Sequence, residues 1–397
     1  MIFNSWVYAC FLLATVGLYW TVPVRWRSGL LTCGGAVFYA YWYPWHLALI
    51  GAAILAVFVV SRLVAPERGA GRGRWAALGI AGCVGMLAYF KYSGFALDLV
   101  RPLLATGGIA LPAPQPRPPL GISFFVFEFV HYLVEVYRGS FAPARLGDFT
   151  LFILFFPTLI CGPIKRFGDF APQEHTGGRP SAVDVHAGLE RILFGLAKKT
   201  LIADALSPFC SGSFRFPLLI SHPMLWLAVY GYALQIYADF SGYSDIAIGS
   251  ARLLGYRVPE NFDWPYLQPN VARFWRCWHM SLTSWITDYV YIPLGGSRRG
   301  EGRAAWNRLV SMTLCGLWHG AALHFAAWGL YHGLALNLYR LWERWRPRLP
   351  GVGLLPAPAA RALATVATFH VVCLGWVLFV CDFKLAAVIF ARLFFLR

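Results

Sequence analysis

The sequence predicts an all-α fold, a polytopic integral membrane helical bundle of about 9–12 spans. Three observations lead there. Hydrophobic residues are 58% of the 397-residue chain and charged residues 13%, about half the ~25% charged share of ordinary soluble domains. Apolar runs follow one another along nearly the whole chain, parted by short arginine-bearing stretches. Aromatic residues are 17%, including 17 Trp, which suits many anchors at the headgroup layers. The formal net charge of +16 is spread through the connecting stretches instead of forming one basic tract. It therefore reads as loop charge on the cytoplasmic side, not as a nucleic-acid surface.

The apolar segments run over 2–22, 29–43, 45–64, 75–97, 120–137, 149–163, 189–206, 217–238, 242–256, 305–319, 321–341, 360–381 and 384–396. The first opens without a basic n-region or a small-residue cleavage site, so it is expected to stay as a helix. Arg25 and Arg27 follow it, and Arg62, Arg68, Arg72 and Arg74 follow the third, whereas the Tyr43-Pro44-Trp45 turn between carries no Lys or Arg. That alternation puts the N-terminus outside and the Arg-rich loops in the cytoplasm. Segments 149–163 and 242–256 are short and are expected to be tilted or re-entrant. The proline-rich stretch Leu111–Pro119 reads as an extended connector on the outside. No internal repeat is present, so the inverted-repeat pattern of many secondary transporters is missing. The nine Cys form no CxxC pair and mostly sit inside apolar runs (Cys10, Cys33, Cys83, Cys315, Cys373), as small buried hydrophobes.

The region 261–299 is too polar for an ordinary span and too aromatic for an ordinary loop. Trp275, Trp278, Leu282 and Trp285 follow helical spacing, with Arg273, Arg276 and His279 on another side of the same helix. Two readings stand: a helix lying on the membrane surface, or a re-entrant helix packing its Trp stripe inward and offering Arg and His to a tunnel. The glycines of Tyr291-Ile-Pro-Leu-Gly-Gly end the helix.

His319 is the strongest single candidate. From Leu309 to Tyr339 there is no Asp, Glu, Lys or Arg. Eleven residues beyond Arg308, at about 1.5 Å each, His319 lies about 16 Å along a segment that must cross a ~30 Å core. Ionisable groups at such depth usually face a cavity, a pathway or a reaction site. A neutral imidazole at that depth can accept a proton from a bound group, and Gly320 beside it permits close approach. His332 is either a second site residue or a packing residue, and His324 and His370 read as structural. Asp239 and Asp245 flank Phe-Ser-Gly-Tyr-Ser, either as a cation site or as lining beside a helix N-cap at Ser241 or Ser244.

These residues stand in strings that carry a resemblance. They are Arg273-Phe-Trp-Arg-Cys-Trp-His-Met-Ser-Leu, Asp288-Tyr-Val-Tyr-Ile-Pro-Leu-Gly-Gly, Gly121-Ile-Ser-Phe with Tyr137-Arg-Gly, Cys161-Gly-Pro-Ile and Gly195-Leu-Ala-Lys-Lys. Further on come Gln235-Ile-Tyr-Ala-Asp-Phe-Ser-Gly-Tyr-Ser-Asp, Pro259-Glu-Asn-Phe, Gly316-Leu-Trp-His-Gly-Ala and Trp328-Gly-Leu-Tyr-His-Gly. Together they resemble the membrane-bound O-acyltransferase superfamily, and more narrowly its bacterial alginate O-acetyltransferase branch.

The resemblance implies one membrane domain over 1–397, with N-terminal helices to 110, a catalytic core over 120–345 and C-terminal helices from 360. It implies a central funnel through the membrane, an essential His319, and a second functional histidine, His279. Trp278, Trp318, Asn261, Arg273, Arg276, Asp239, Asp245 and His332 are the candidate substrate-binding residues; no metal and no bound cofactor is expected. The donor it implies is acetyl-CoA or an acyl-carrier thioester. The partner it implies is an extracytoplasmic acetyltransferase with a Ser-His-Asp site acting on polysaccharide, since this chain has no Gly-x-Ser-x-Gly elbow. The implied location is the bacterial inner membrane, in contact with lipid.

Three positions depart from the pattern: Cys277 stands where Arg is usual, and Glu128 and His131 replace a Gln and a small residue. The chain also stops at Arg397, where many similar proteins continue. A D-alanyl transferase for teichoic acid shares the Trp-His-Met-Ser-Leu stretch and is the alternative enzyme. The Tyr-Ile-Pro-Leu-Gly-Gly-Ser-Arg string and the Arg-rich, Lys-poor composition favour acetyl transfer. A transporter of an acyl donor or polymer is the alternative from another class.

Overall fold

Apolar periodicity becomes helix almost throughout the computed structural model, which describes residues 3–106, 117–173, 181–348 and 355–395. Leu111–Pro116 of the proline-rich stretch lie outside the described residues. Among those described there is no strand, only an isolated antiparallel bridge between Phe262 and Trp278. The first five apolar segments become the helices Trp6–Thr21, Val24–Ala40, Pro44–Val64, a continuous run from Arg72 to Thr106, and Ile122–Arg138. Ser5 starts the first by accepting the Tyr8 N–H on its hydroxyl at 3.2 Å, and Pro44 sits at the first turn of the third, where its missing N–H does no harm.

Pro44–Val64, Arg72–Leu103 and Ala357–Val380 are long and apolar enough to cross a membrane, among the described residues. Most of each is unburied by protein, as lipid-facing surface would be.

The segment 149–163 is helical only over Leu146–Leu154. Pro157 disfavours helix at Phe156 and brings no N–H of its own, so the chain turns from Phe155 onward, and the expected short element is shorter still. The opposite departure occurs at 217–256. Two segments were expected there, but one helix runs unbroken over His222–Leu253. Ser241 and Ser244 therefore cap nothing. A single interior glycine, Gly242, costs about 1 kcal/mol relative to alanine, too little to break a 32-residue helix with much of its surface buried.

The contacts divide the chain into two compact units, residues 1–196 with 243–259, and residues 197–242 with 260–397. The first has an aromatic core in which Phe125, Phe129, Phe149, Phe152, Phe155, Phe156 and Tyr256 are fully buried. Within it Lys165 pairs with Glu128 at 2.6 Å, both buried, and the Lys165 ammonium lies 4.8 Å from the Phe152 ring centre. His131 Nε2 accepts the Phe167 N–H at 2.8 Å. Glu128 and His131 thus serve different partners.

In the second unit, Glu301–His319 and Leu323–Trp345 form a helical hairpin packed along its length. Glycines let the two backbones touch: a Cβ on Gly316 would fall 2.1 Å from the Phe325 carbonyl oxygen, and one on Gly329 2.1 Å from that of Met312. This is the small-residue packing that membrane helices use in place of a hydrophobic driving force. The nine cysteines are free thiols, with Cys10 and Cys33 exposed on apolar helices and not buried as expected.

Candidate active site

The helix expected through Arg273–Trp285 is broken in the middle. Asn270 caps Val271–Cys277 by accepting the Arg273 N–H at 2.8 Å. The backbone then extends at Trp278 and turns left-handed at His279, φ 43°, before Met280–Ile286 resumes the helix. Left-handed backbone costs an L-residue about 1–2 kcal/mol. Here it is held by the chain just upstream: Asp263 N–H donates to Cys277 O at 3.0 Å and Met280 N–H to Asn261 O at 2.9 Å. Strain of this kind gathers where a side chain must be aimed.

The aimed side chain is the imidazole of His279, which is 1% exposed. Its Nδ1 is 3.3 Å from Asn261 Oδ1, which also accepts the Ser281 hydroxyl at 2.6 Å. An amide oxygen only accepts, so the imidazole donates from Nδ1 and leaves Nε2 as a lone pair. That Nε2 is buried and finds no hydrogen-bond partner among the described residues. Phe240 closes one side of the ring at 4.6 Å and Trp318 approaches at 5.9 Å.

His319 ends the first hairpin helix, and its neighbour Trp318 contacts both its ring and that of His279. Its half-buried ring is enclosed by Trp318 at 4.6 Å, Trp328 at 5.3 Å and Phe379 at 5.1 Å. The two histidines, Asn261 and Trp318, singled out separately in the sequence, thus form one cluster.

On the same helix face, one and two turns before His319, stand Cys315 and Ser311, and Arg308 follows at the next turn. These three line a cavity of about 220 Å³ together with Arg276, Arg340, Thr283 and Thr287. Three arginines from three helices therefore border one cavity, whose lining is mostly apolar. The Ser311 hydroxyl beside them is buried and unpartnered among the described residues. Arg308 is fixed by Asn337 Oδ1, which accepts its Nε–H at 2.5 Å. Arg308, Arg340 and Ser311 were not singled out in the sequence, although the 308-311-315-319 spacing marks one helix face.

Other candidates go elsewhere. Trp275, Trp278, Leu282 and Trp285 are all buried, which disfavours a helix lying on the surface. Trp278 is core, stacked on Phe274 and packed on Trp376. His332 is buried and accepts the Trp275 indole N–H on Nδ1 at 3.4 Å. Arg273 is exposed and is absent from the cavity lining. Asp239 pairs with Lys199 at 2.8 Å, in the second unit, and Asp245 with Arg191 at 2.6 Å, in the first. Each carboxylate is answered by a cation, and no group of three metal-ligating side chains occurs among the described residues. His324 and His370 make structural bonds, to Leu378 O and the Tyr230 hydroxyl.

Residues 121–381 match the membrane-bound O-acyltransferase family, and every member of the histidine cluster falls inside that span. The chain belongs to this family. It is thus an O-acyltransferase and an integral membrane protein. It is 37% identical to the probable alginate O-acetylase AlgI of Azotobacter vinelandii, over 96% of this chain and 75% of the relative. It is 30% identical to a peptidoglycan O-acetyltransferase of Helicobacter pylori, over 88% of this chain and 70% of the relative. It is also 31% identical to a teichoic acid D-alanyltransferase of Bacillus subtilis, over 74% of this chain and 80% of the relative. In an O-acyltransferase, a cluster of two imidazoles offers what hydroxyl acylation requires: a proton acceptor and a second polar group to orient its partner.

Proposed function

We propose that this O-acyltransferase takes an acetyl group from a cytoplasmic thioester, acetyl-CoA, and delivers it across the inner membrane for O-acetylation of a cell-surface polysaccharide. The observation that carries the reading is the His279–His319 cluster at one end of a helix face whose other end borders the arginine-lined cavity. His319 is the general base. It accepts the proton of the acceptor hydroxyl as that oxygen attacks the thioester carbonyl carbon. The new C–O bond forms, the C–S bond breaks, and the departing thiolate takes the proton back from the imidazolium. His279, its tautomer set by Asn261, offers the Nε2 lone pair to accept a hydrogen bond from a water or from a second donor group on the substrate.

At the donor end Arg276 suits a phosphate ester, beside Arg308 and Arg340, which also pair with Glu301 at 3.6 Å and Glu343 at 2.8 Å, respectively. The distance along the helix from Arg308 to His319 is about 16 Å. A pantetheine arm of about thirteen bonds between phosphorus and sulfur also spans about 16 Å when extended. At 220 Å³ the cavity is below the ~300 Å³ lower bound of drug-sized pockets, so it suits such an arm and leaves the nucleotide outside.

The chain is read with its N-terminus outside and about 9–12 crossings, with an extracytoplasmic partner completing transfer to the polymer. A D-alanyl thioester is the second donor reading, supported by the Bacillus subtilis relative. Coupled cation transport has little support, because Asp239 and Asp245 are each paired. The test is reconstitution in liposomes, with labelled acetyl-CoA or a D-alanyl carrier inside and polymer outside. Label should move from acetyl-CoA, and polymer should be acetylated only when the partner is added. Efficient acetylation by this chain alone rejects the relay, and preference for the D-alanyl donor rejects the acetyl reading.

A further inference from the structure

We infer that Phe379 sets the size of the acyl group accepted at His319; the inference rests on His319 acting at the reacting carbonyl. Three rings outside its own neighbour Trp318 shape the surroundings of that imidazole. Trp328 meets it edge-on at 5.3 Å, is fully buried, and is held by Trp275, Trp376 and His332. Phe325 sits where a side chain on residue 320 would be: a Cβ on Gly320 would lie 2.0 Å from its ring. Phe379, from the last turn of Ala357–Val380, packs on the imidazole at 5.1 Å and on Phe325 at 5.2 Å.

Trp328 is sealed inside, whereas Phe325, Phe379 and His319 are all half-buried, so the two phenylalanines border the open side of the imidazole. A hydroxyl within hydrogen-bond reach of the base brings the carbonyl it attacks to the same side. The substituent on that carbonyl then comes against the Phe379 ring. A methyl group is the smallest such substituent, and each further methylene needs volume that the ring fills, in an interior with few voids. Of the two bordering rings, Phe325 is wedged into the hairpin by Gly320, so trimming it disturbs the hairpin itself. Phe379 comes from a separate helix, and trimming it opens space while leaving Gly320 and Phe325 in place.

The experiment compares the wild-type enzyme with Phe379→Ala and Phe379→Leu, using acetyl-, propionyl- and butyryl-CoA. A methylene in an apolar site is discriminated by roughly 10–200-fold in kcat/KM. Wild type should therefore fall by at least tenfold from acetyl to butyryl donor. Phe379→Ala should raise the butyryl-to-acetyl ratio at least tenfold, with Phe379→Leu in between. An unchanged ratio, with all donors slowed alike, overturns the inference and leaves Phe379 a packing residue. A binding readout keeps the test independent of the base. S-ethyl- and S-butyl-coenzyme A, which cannot transfer an acyl group, should compete more unequally against wild type than against Phe379→Leu. Equal competition in both rejects the size filter even where His319→Ala shows that the base is another residue. Should Phe379→Ala fail to fold, the Phe379→Leu ratio decides alone.

Discussion

Two buried polar clusters, one in each unit, show opposite ways of keeping charge and polarity inside an apolar protein. In the first unit Glu128 and Lys165 answer one another, aromatic rings enclose the ammonium, and His131 is occupied by a backbone N–H. In the second, His279 is tied at Nδ1 and left open at Nε2, and Ser311 has no partner among the described residues. Buried polar atoms are ordinarily satisfied. The open Nε2 of His279 marks it for chemistry because it lies beside Trp318 and His319. The Nε2 of His332, equally without a partner among the described residues, belongs to a ring packed against Trp328 and Trp275. The two histidines at 131 and 279 look alike in sequence, each on an apolar stretch. Their hydrogen bonds separate them.

The comparison breaks first at His319. His319→Ala should lower acyl transfer by about 10²–10⁴-fold, the span of general-base catalysis, with membrane yield unchanged. His319→Gln should fail as badly, since an amide cannot take the proton. A well-folded His319→Ala protein keeping more than a tenth of wild-type transfer would falsify the base assignment. At the matched cluster the damage should be to stability. Glu128→Ala leaves Lys165 buried without its partner, a change that costs about 3–5 kcal/mol. The double variant Glu128→Gln with Lys165→Met should recover most of it. Thermal unfolding in detergent measures both; equal Tm for Glu128→Ala and wild type would mean that the pair contributes nothing.

Asn261 sharpens the contrast at intermediate size. Asn261→Ala frees the Nδ1 proton of His279 and removes the acceptor of the Ser281 hydroxyl, so kcat should fall roughly 10–100-fold while donor KM holds, as for a transition-state defect. Asn261→Asp, which still accepts from Nδ1, should retain more activity than Asn261→Ala; the reverse order argues against the tautomer assignment. The smallest effect separates neighbouring arginines. Arg276 borders the cavity and Arg273 does not, although both were candidates for one basic face. Arg276→Gln should raise donor KM by about tenfold, a loss of about 1.4 kcal/mol, with kcat little changed. Arg273→Gln should leave both within about twofold. Matching KM shifts for the two would return the arginines to a shared electrostatic role.

Much of this was legible along the chain because membrane helices write their pattern locally. Composition and apolar runs determined an all-α membrane protein, and the charge-free stretch after Arg308 singled out His319, because depth along a helix is simply residue count times rise. The motifs determined the family. What the linear pattern could not carry was any relation that depends on where the backbone turns or on which distant side chain answers a charge. Helical spacing through Arg273–Trp285 hid the left-handed break at His279, since only the bonds to Asn261 and Asp263 make that turn favourable. The serines beside Gly242 looked like a helix start, yet tertiary burial carried the helix straight through. Asp239 and Asp245 looked like a pair, and Lys199 and Arg191 took them one each. Arg308, Ser311 and Phe379 gained meaning only when separate helices brought them to the cavity and to His319. Local hydrophobicity chooses the elements, whereas electrostatic and steric partners are chosen by proximity in space, which only the folded chain defines.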